Sequence, residues 1–414
     1  MNATNWAGNV TYRAARVLRP SSVDDLRRVV ASGERVRAVG TGHSFSAIAD
    51  TSGALVSLAG LPSTMDIDVE RRTVTVAAGV RYAELAGYLN AAGYALRNLA
   101  SLPHISVGGA CQTATHGSGD GNGNLATQVA AVYLVTAAGD LVTISRGTAD
   151  FPAIVVGLGA VGIAAGLTLD VVPAFAIEQY AYHDLPRTEF DRRLDEVFGG
   201  GYSVSVFTDW TGNRMNQVWL KRLAGEHPPP RRWLGATLAD RACHPIATMP
   251  AATCTEQLGV SGPWHLRLPH FRPGHTPSSG RELQTEYFVP RERAVEALAA
   301  LDEVRDRIAA VLQISEIRTV AADDLWLSPS YRRASVAIHF TWVPDQPAVT
   351  RVLAAIEERL APFEARPHWG KLFTIEPAAV CRLYPRLPDF RQLRHRYDPA
   401  GKFRNEFVDR YLAG

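Results

Sequence analysis

The segment LASLPHISVGGACQTATHGSGDGNGN, residues 99 to 124, shows almost no helical period and is rich in glycine, serine and threonine. A stretch that long without regular structure is uncommon inside a compact domain, and where it occurs it is usually functional. A second, shorter stretch of the same character, VRAVGTGHSF (36 to 45), sets Gly40 and Gly42 directly before His43, where an apolar strand ends. Glycine admits positive φ and leaves no Cβ, so successive N–H groups can approach and cradle a phosphate. Taken singly, each stretch reads as a glycine turn beside a packed histidine. Together they suit a clamp around a large anionic cofactor.

The remaining sequence has to supply the scaffold. At 414 residues the chain exceeds the usual domain length of about 100–200 residues, so two domains are expected. With 46% hydrophobic and 20% charged residues it is a globular, enzyme-like chain. Its net charge of +2 gives no global field for nucleic acid or an anionic membrane. The expected partners are small molecules, and the expected state is a monomer. Cys111, Cys243, Cys254 and Cys381 lack zinc or disulfide spacing, and Arg13 and Arg16 interrupt the only stretch where a secretory signal would stand, so a cytoplasmic protein is expected. The uncharged run 153–169 carries four glycines and is barely long enough to cross a bilayer; it reads as a buried strand–turn–strand.

Local patterns predict a serine-capped helix near 22–32 leading into a strand at 35–39, a β-α-β unit. LVSL and MDIDVERRTVTVAAG read as strands, RYAELAGYLNAAG as a helix with Tyr82, Leu85, Ala86 and Leu89 on one side, and AVYLVTAAGDLVTISR as a hairpin. The texture changes near 173–180. Strands (SVSVFTDW, LQTEYFV, ISEIRTV, RRASVAIHFTWV) then alternate with a long helix over RERAVEALAALDEVRDRIAAVL and another over AVTRVLAAIEERLAPF. Proline-rich breaks fall at HPPPRRW and FRPGHTPSSG. This pattern indicates a second α+β domain. The closing YPRLPDFRQLRHRYDPAGKFRNEF reads as a helix followed by a turn.

Two motifs are set aside. GLGAVG (157–162), with Glu178 downstream, spells a dinucleotide fingerprint, but the sequel GLTLDVV is strand-like, where a nicotinamide site needs a helix. DGNGN imitates a calcium loop but places Leu125 and Ala131 where glycine and a bidentate glutamate are required. His104, His116, His244 and His270 lack metal-ligand spacing, and no metal is expected. More informative are Glu316 and Arg318 on ISEIRTV and His339 and Thr341 on AIHFTW. Each pair is spaced i, i+2 and so shares one strand face, with Ile314, Ile317, Ile338 and Phe340 assigned to the opposite faces. A buried Glu–Arg pair is costly to assemble and suggests a ligand. A solvated sheet face would show the same spacing.

GTGHSF, LASLPHISVGGACQTATHGSGDGNGNLATQV, GLGAVGIAAGLTL, SEIRTV, AIHFTW and RPHWGK, in this order, resemble the vanillyl-alcohol-oxidase-type flavoproteins, and within them the alditol (xylitol) oxidases. The resemblance implies an α+β, two-domain fold. A discontinuous FAD-binding domain of the PCMH type (1–175, completed by 374–414) would carry an inserted α+β cap domain (176–373). It implies FAD joined covalently to His43. Doubly tethered relatives carry a cysteine near Ser101 or Leu102, and none stands here, so a single tether is expected. The cofactor is expected against Gly40, Thr41, Gly42, Ser44 and Phe45; against Ser101, Ser106, Gly109, Thr113, Thr115 and His116; and against Gly162, Ile163 and His368. Ser101, Glu316, Arg318, His339, Thr341 and Lys371 match the polyol site.

In the implied reaction Arg318 and Lys371 stabilise a developing alkoxide and His339 accepts the hydroxyl proton, while O2 takes up the electrons as H2O2. Three other readings compete. A gulonolactone- or arabinonolactone-type oxidoreductase shares H-W-x-K, but ASLPHISV replaces the GSISD-type run expected there. A sugar-binding protein would be colourless, and a dehydrogenase would need added nucleotide.

Overall fold

Ser22 starts the first helix as expected: its hydroxyl accepts from Asp25 N at 3.1 Å, and Asp24 and Asp25 fill the first turn of Val23–Ser32. In the computed structural model, which describes residues 4–275 and 281–412, this helix joins strands Arg16–Leu18 and Val36–Val39. Both strands pair in parallel with Ala54–Ser57, the centre of a three-stranded sheet. The GTGHSF stretch therefore begins where a strand of this sheet runs out.

A five-stranded antiparallel sheet follows, in the order Met65–Asp68, Thr73–Ala77, Ile163–Asp170, Val129–Val135 and Leu141–Ser145. Helix Tyr82–Ala91 buries Tyr82, Leu85, Ala86 and Leu89, the stripe its period predicts. Three local readings change. The aperiodic segment 99–124 contains a short helix, Val107–Gln112. Its glycines hide the period because they permit close packing: a Cβ on Gly108 would stand 2.7 Å from Ala78 Cβ. The run 153–169 begins as the end of a helical turn, Phe151–Ile154, with Pro152 in its first turn, and only then becomes a strand. The long helix over 291–312 is broken into Ala294–Asp302 and Arg305–Ala309. The bend lets Leu301 and Ile308 enter the same core.

The second half builds one large sheet in which Ser203–Thr208, Leu312–Val320, Ser335–Trp342 and Leu283–Pro290 are successive antiparallel neighbours. Helices Ala294–Asp302 and Gln346–Leu360 cover one face, burying Leu298, Leu301, Val349 and Ile356 against Ile317, Ile338 and Phe340. The other face is left for polar residues. FRPGHTPSSG (271–280) lies partly outside the described residues.

After Trp369 the chain returns to the first core. Helix Leu387–Tyr397 forms as expected, flanked by helices Pro377–Leu383 and Glu406–Leu412 that the sequence reading did not anticipate. Phe390, Phe403 and Val408 pack in the cluster that holds Leu26 and Val56. Buried Arg37 ties these parts together, donating to the carbonyls of Gly159 (2.7 Å), Leu158 (2.8 Å), Ile48 (2.5 Å) and Phe403 (3.0 Å). The carbonyls bring no full negative charge, so burial pushes its pKa down to about 10.

Candidate active site

One cavity runs from the glycine stretches to the polar face of the large sheet, and every residue expected to bind cofactor or substrate lines it. At its first end Gly42 adopts φ +69°, a left-handed conformation that suits glycine, and its carbonyl accepts from Trp6 N at 2.8 Å. The His43 ring stacks on Trp6 with centroids 5.0 Å apart and planes 18° apart. Burial, with His104 adding to it, pushes the His43 pKa down to about 4, so the imidazole is neutral. Neither of its ring nitrogens makes a well-formed hydrogen bond among the described residues.

The two glycine stretches meet here. A Cβ on Gly40 would fall 2.0 Å from Ser106 Oγ, and Ser106 N donates to Thr41 Oγ1 at 3.3 Å. Further along, Thr113 Oγ1 donates to Gly109 O (3.0 Å) and lies 3.3 Å from Thr115 Oγ1. Ser44 and Phe45 are held against the later chain, with Phe45 N donating to Gly370 O at 2.7 Å. Gly162 (φ +155°) and Ile163 reach the same cavity from the turn before the strand. His368 accepts from Gly370 N at 3.0 Å through Nδ1, and burial pushes its pKa down to about 3.

At the other end, strand register assembles the chemistry. Glu316 stands opposite His339, and His339 opposite Glu286, so three strands set a row of three titratable groups across one face. Arg318 donates to Glu286 Oε1 at 2.6 Å and to Ser101 Oγ at 3.2 Å. Lys371 Nζ lies 2.8 Å from Glu286 Oε2 and 2.7 Å from His339 Nδ1, while His339 Nε2 lies 3.1 Å from Thr341 Oγ1. An ammonium only donates, so Nδ1 of His339 accepts and its proton sits on Nε2, bonded to Thr341. His116 Nε2 is 3.1 Å from Glu286 Oε1.

Two carboxylates and two cations thus share a largely buried site. Burial favours a neutral Glu286, yet Lys371, His116 and Arg318 together outweigh it and hold its pKa well below the usual range. Burial lowers the Lys371 pKa against the opposing pull of Glu286. His339 is driven well below its ordinary value by burial and by Lys371. Glu286 and Gln284 are cavity residues that the sequence pattern did not single out, and His270, weighed from sequence only as a metal ligand, lines the cavity too. Gln284 and Glu286 show the same i, i+2 spacing, on LQTEYFV, that singled out Glu316 and Arg318. Ile314 belongs with Glu316 and Arg318, since 314, 316 and 318 share a face, and it lines the cavity rather than the opposite core.

The donor set fits a flavin dinucleotide: a Cβ-free backbone cradle at Gly40, a neutral unpaired imidazole at His43, and hydroxyls at Thr113 and Thr115. Comparisons with known proteins agree. Residues 14–145 match the FAD binding domain family and residues 277–411 the D-arabinono-1,4-lactone oxidase family. The chain is 51% identical to an alditol oxidase from Streptomyces sp., covering 99% of both chains. It is 31% identical to an L-gulono-1,4-lactone dehydrogenase from Mycobacterium tuberculosis, covering 99% of this chain and 98% of that one. Among solved structures, a cholesterol oxidase from B. sterolicum superposes with a TM-score of 0.80 at 15% identity, over 99% of this chain and 96% of the other, which shows a shared fold. Read with the cavity, these likenesses mean that the chain belongs to the alditol oxidase family of vanillyl-alcohol-oxidase-type FAD flavoproteins.

Proposed function

We propose that this protein oxidises the primary hydroxyl of straight-chain polyols such as xylitol and sorbitol to the aldose, passing the electrons to O2 as H2O2. The observation that carries the reading is the Glu316–His339–Glu286 row with Arg318 and Lys371 in the cavity that also holds His43. A flavin held in this cavity would supply the hydride acceptor for the hydroxyl-bearing carbon and the route for the electrons to oxygen. Lys371 has one N–H left after Glu286 and His339, and this N–H with the Arg318 guanidinium stabilises a developing alkoxide. The hydroxyl proton goes to Nζ of Lys371 as Lys371 passes one of its own protons to Nδ1 of His339, the lone pair it faces. Glu316 accepts from further hydroxyls, and Ser101 and Thr341 complete the grip. His43 anchors the cofactor covalently, a role supported by its neutral, stacked and unpaired ring.

We assign residues 1–175 with 374–414 to the FAD domain and 176–373 to the cap, a division supported by the two main hydrophobic clusters, with Trp264, Leu325, Leu327 and Trp369 of the cap segment packing in the first and Phe45 in the second. Four free thiols support a reducing, cytoplasmic setting. No helix among the described residues is long and apolar enough to cross a membrane. A second reading, oxidation of a sugar 1,4-lactone, draws support from the match over 277–411. Aerobic peroxide assays on xylitol, sorbitol and gulono-1,4-lactone separate the two. The polyols are expected to turn over faster, with simple alcohols slower by up to about 10⁴-fold. Preferential turnover of the lactone overturns the alditol reading.

A further inference from the structure

Lys221 is fully buried on strand Arg214–Leu223, and the reaction outlined above leaves it without a task. Its Nζ donates to the carbonyls of Leu268 (2.5 Å) and Pro269 (3.1 Å) and lies 3.0 Å from Nδ1 of His270. His270 Nε2 in turn lies 2.7 Å from Glu316 Oε1 and 3.2 Å from Ser205 Oγ.

Donor counting fixes this arrangement. The two carbonyls only accept, so an ammonium at Lys221 directs its third N–H to Nδ1, and the imidazole proton must sit on Nε2, facing Glu316. If the proton moves from Lys221 to Nδ1, Nε2 still carries its hydrogen. In both arrangements one positive charge is shared across Lys221 and His270, and a hydrogen points at Glu316 Oε1. Phe207 and Trp219 stand edge-on to the ring at 5.8 and 5.1 Å and restrain its rotation. His270 N also donates to Ser101 O at 3.1 Å, so the same segment steadies the opposite side of the cavity. Glu316 Oε2 makes no hydrogen bond to any described residue.

We propose that Lys221 and His270 are positioning residues that lock one oxygen of Glu316 and so present the other to a hydroxyl of a polyhydroxylated substrate. This inference rests on the alditol reading for its substrate and on the Lys221–His270–Glu316 chain for its physics. Without the chain, the remaining cation near Oε1 is Arg318 Nε at 3.6 Å, too far to orient the carboxylate.

The test uses the flavin-loaded enzyme and three variants: His270→Leu, His270→Gln and Lys221→Met. Glutamine can accept from Lys221 through its carbonyl and donate to Glu316 through its amide, whereas leucine can do neither. His270→Leu is expected to raise KM for xylitol roughly 10- to 100-fold with a smaller change in kcat, the penalty of a misplaced polar partner. His270→Gln should recover to within about fivefold of wild type, since the amide restores the donor. Lys221→Met should fall between them. In wild type, selective ¹⁵N-histidine NMR should find Nε2 of His270 protonated, its resonance assigned by its disappearance in His270→Gln.

Unchanged xylitol KM in a His270→Leu enzyme that keeps its yellow colour overturns the relay. Equal losses in the leucine and glutamine variants overturn it as well. If wild type turns over the lactone but no polyol, the alditol reading fails instead, and a bare Nε2 in the NMR spectrum would then overturn the relay on its own.

Discussion

Lys371 and His339 face each other with Nζ 2.7 Å from Nδ1, so the lysine fixes which nitrogen of the imidazole carries the proton. The pair turns two ordinary side chains into a single proton-handling unit, and Glu286 beneath it holds Lys371 charged despite burial.

One consequence is a pH profile without an imidazole limb in its usual place. His339 sits well below its ordinary value and His368 at about 3, so both are neutral through the working range. We expect kcat/KM for xylitol to be flat down to about pH 5, instead of falling near the free-histidine value of roughly 6.5. Its alkaline fall, set by Lys371, should come below the ordinary lysine value of about 10.4. A steady-state profile from pH 4 to 10 checks both limits.

Stability should follow the same histidines. The unfolded chain protonates His368 near pH 6.5, whereas the folded chain protonates it only at about 3. Stability is therefore complete above about pH 6.5 and is lost progressively as pH falls toward 3. Glu286, whose folded pKa is depressed, adds a further loss below about pH 4.3. The melting temperature is expected to fall steadily from pH 7 to 4, and His368→Asn should flatten that slope.

Glu286→Gln removes the carboxylate shared by Arg318 and Lys371, leaving Lys371 without its ion-pair partner and Arg318 with Glu316 at 3.6 Å. Breaking a buried pair from one side costs about 3–5 kcal/mol, which denaturant unfolding will report. Turnover should fall along with stability, because the Lys371 charge loses its support.

Replacing either cation tests the transition-state role directly. Arg318→Met or Lys371→Met should reduce kcat by roughly 10²–10³, as losing an oxyanion donor does. If only KM changes, the cations hold substrate and do not assist the chemistry.

The cofactor anchor has a visible readout. Acid precipitation of the wild type should leave the yellow colour in the pellet, and His43→Ala should release it to the supernatant. Gly42→Ala, forced into a left-handed backbone at φ +69°, should cost about 1–2 kcal/mol and lower flavin retention by displacing His43.

Sequence pattern alone located the glycine stretches, the helix stripe of Tyr82, Leu85, Ala86 and Leu89, and the paired polar spacing at Glu316/Arg318 and His339/Thr341, because each is a local period of 3.6 or 2. Helix Val107–Gln112 escaped because its glycines serve close packing against Ala78, which no period records. Glu286 carried the same two-residue signal as Glu316 and was passed over. Its importance comes from pairing with His339, which lies 53 residues away in the chain.

Local order, the choice of glycine where a backbone must come close, and the order of family motifs were thus written in the chain itself. Tertiary structure alone decided which carboxylate meets which cation, since strand register joins distant segments and a one-residue slip would turn Glu286 or His339 to the apolar face. It also decided the protonation of the site, because removing water from around Lys371, His339 and Glu286 sets their charges, and burial is a property of the folded chain.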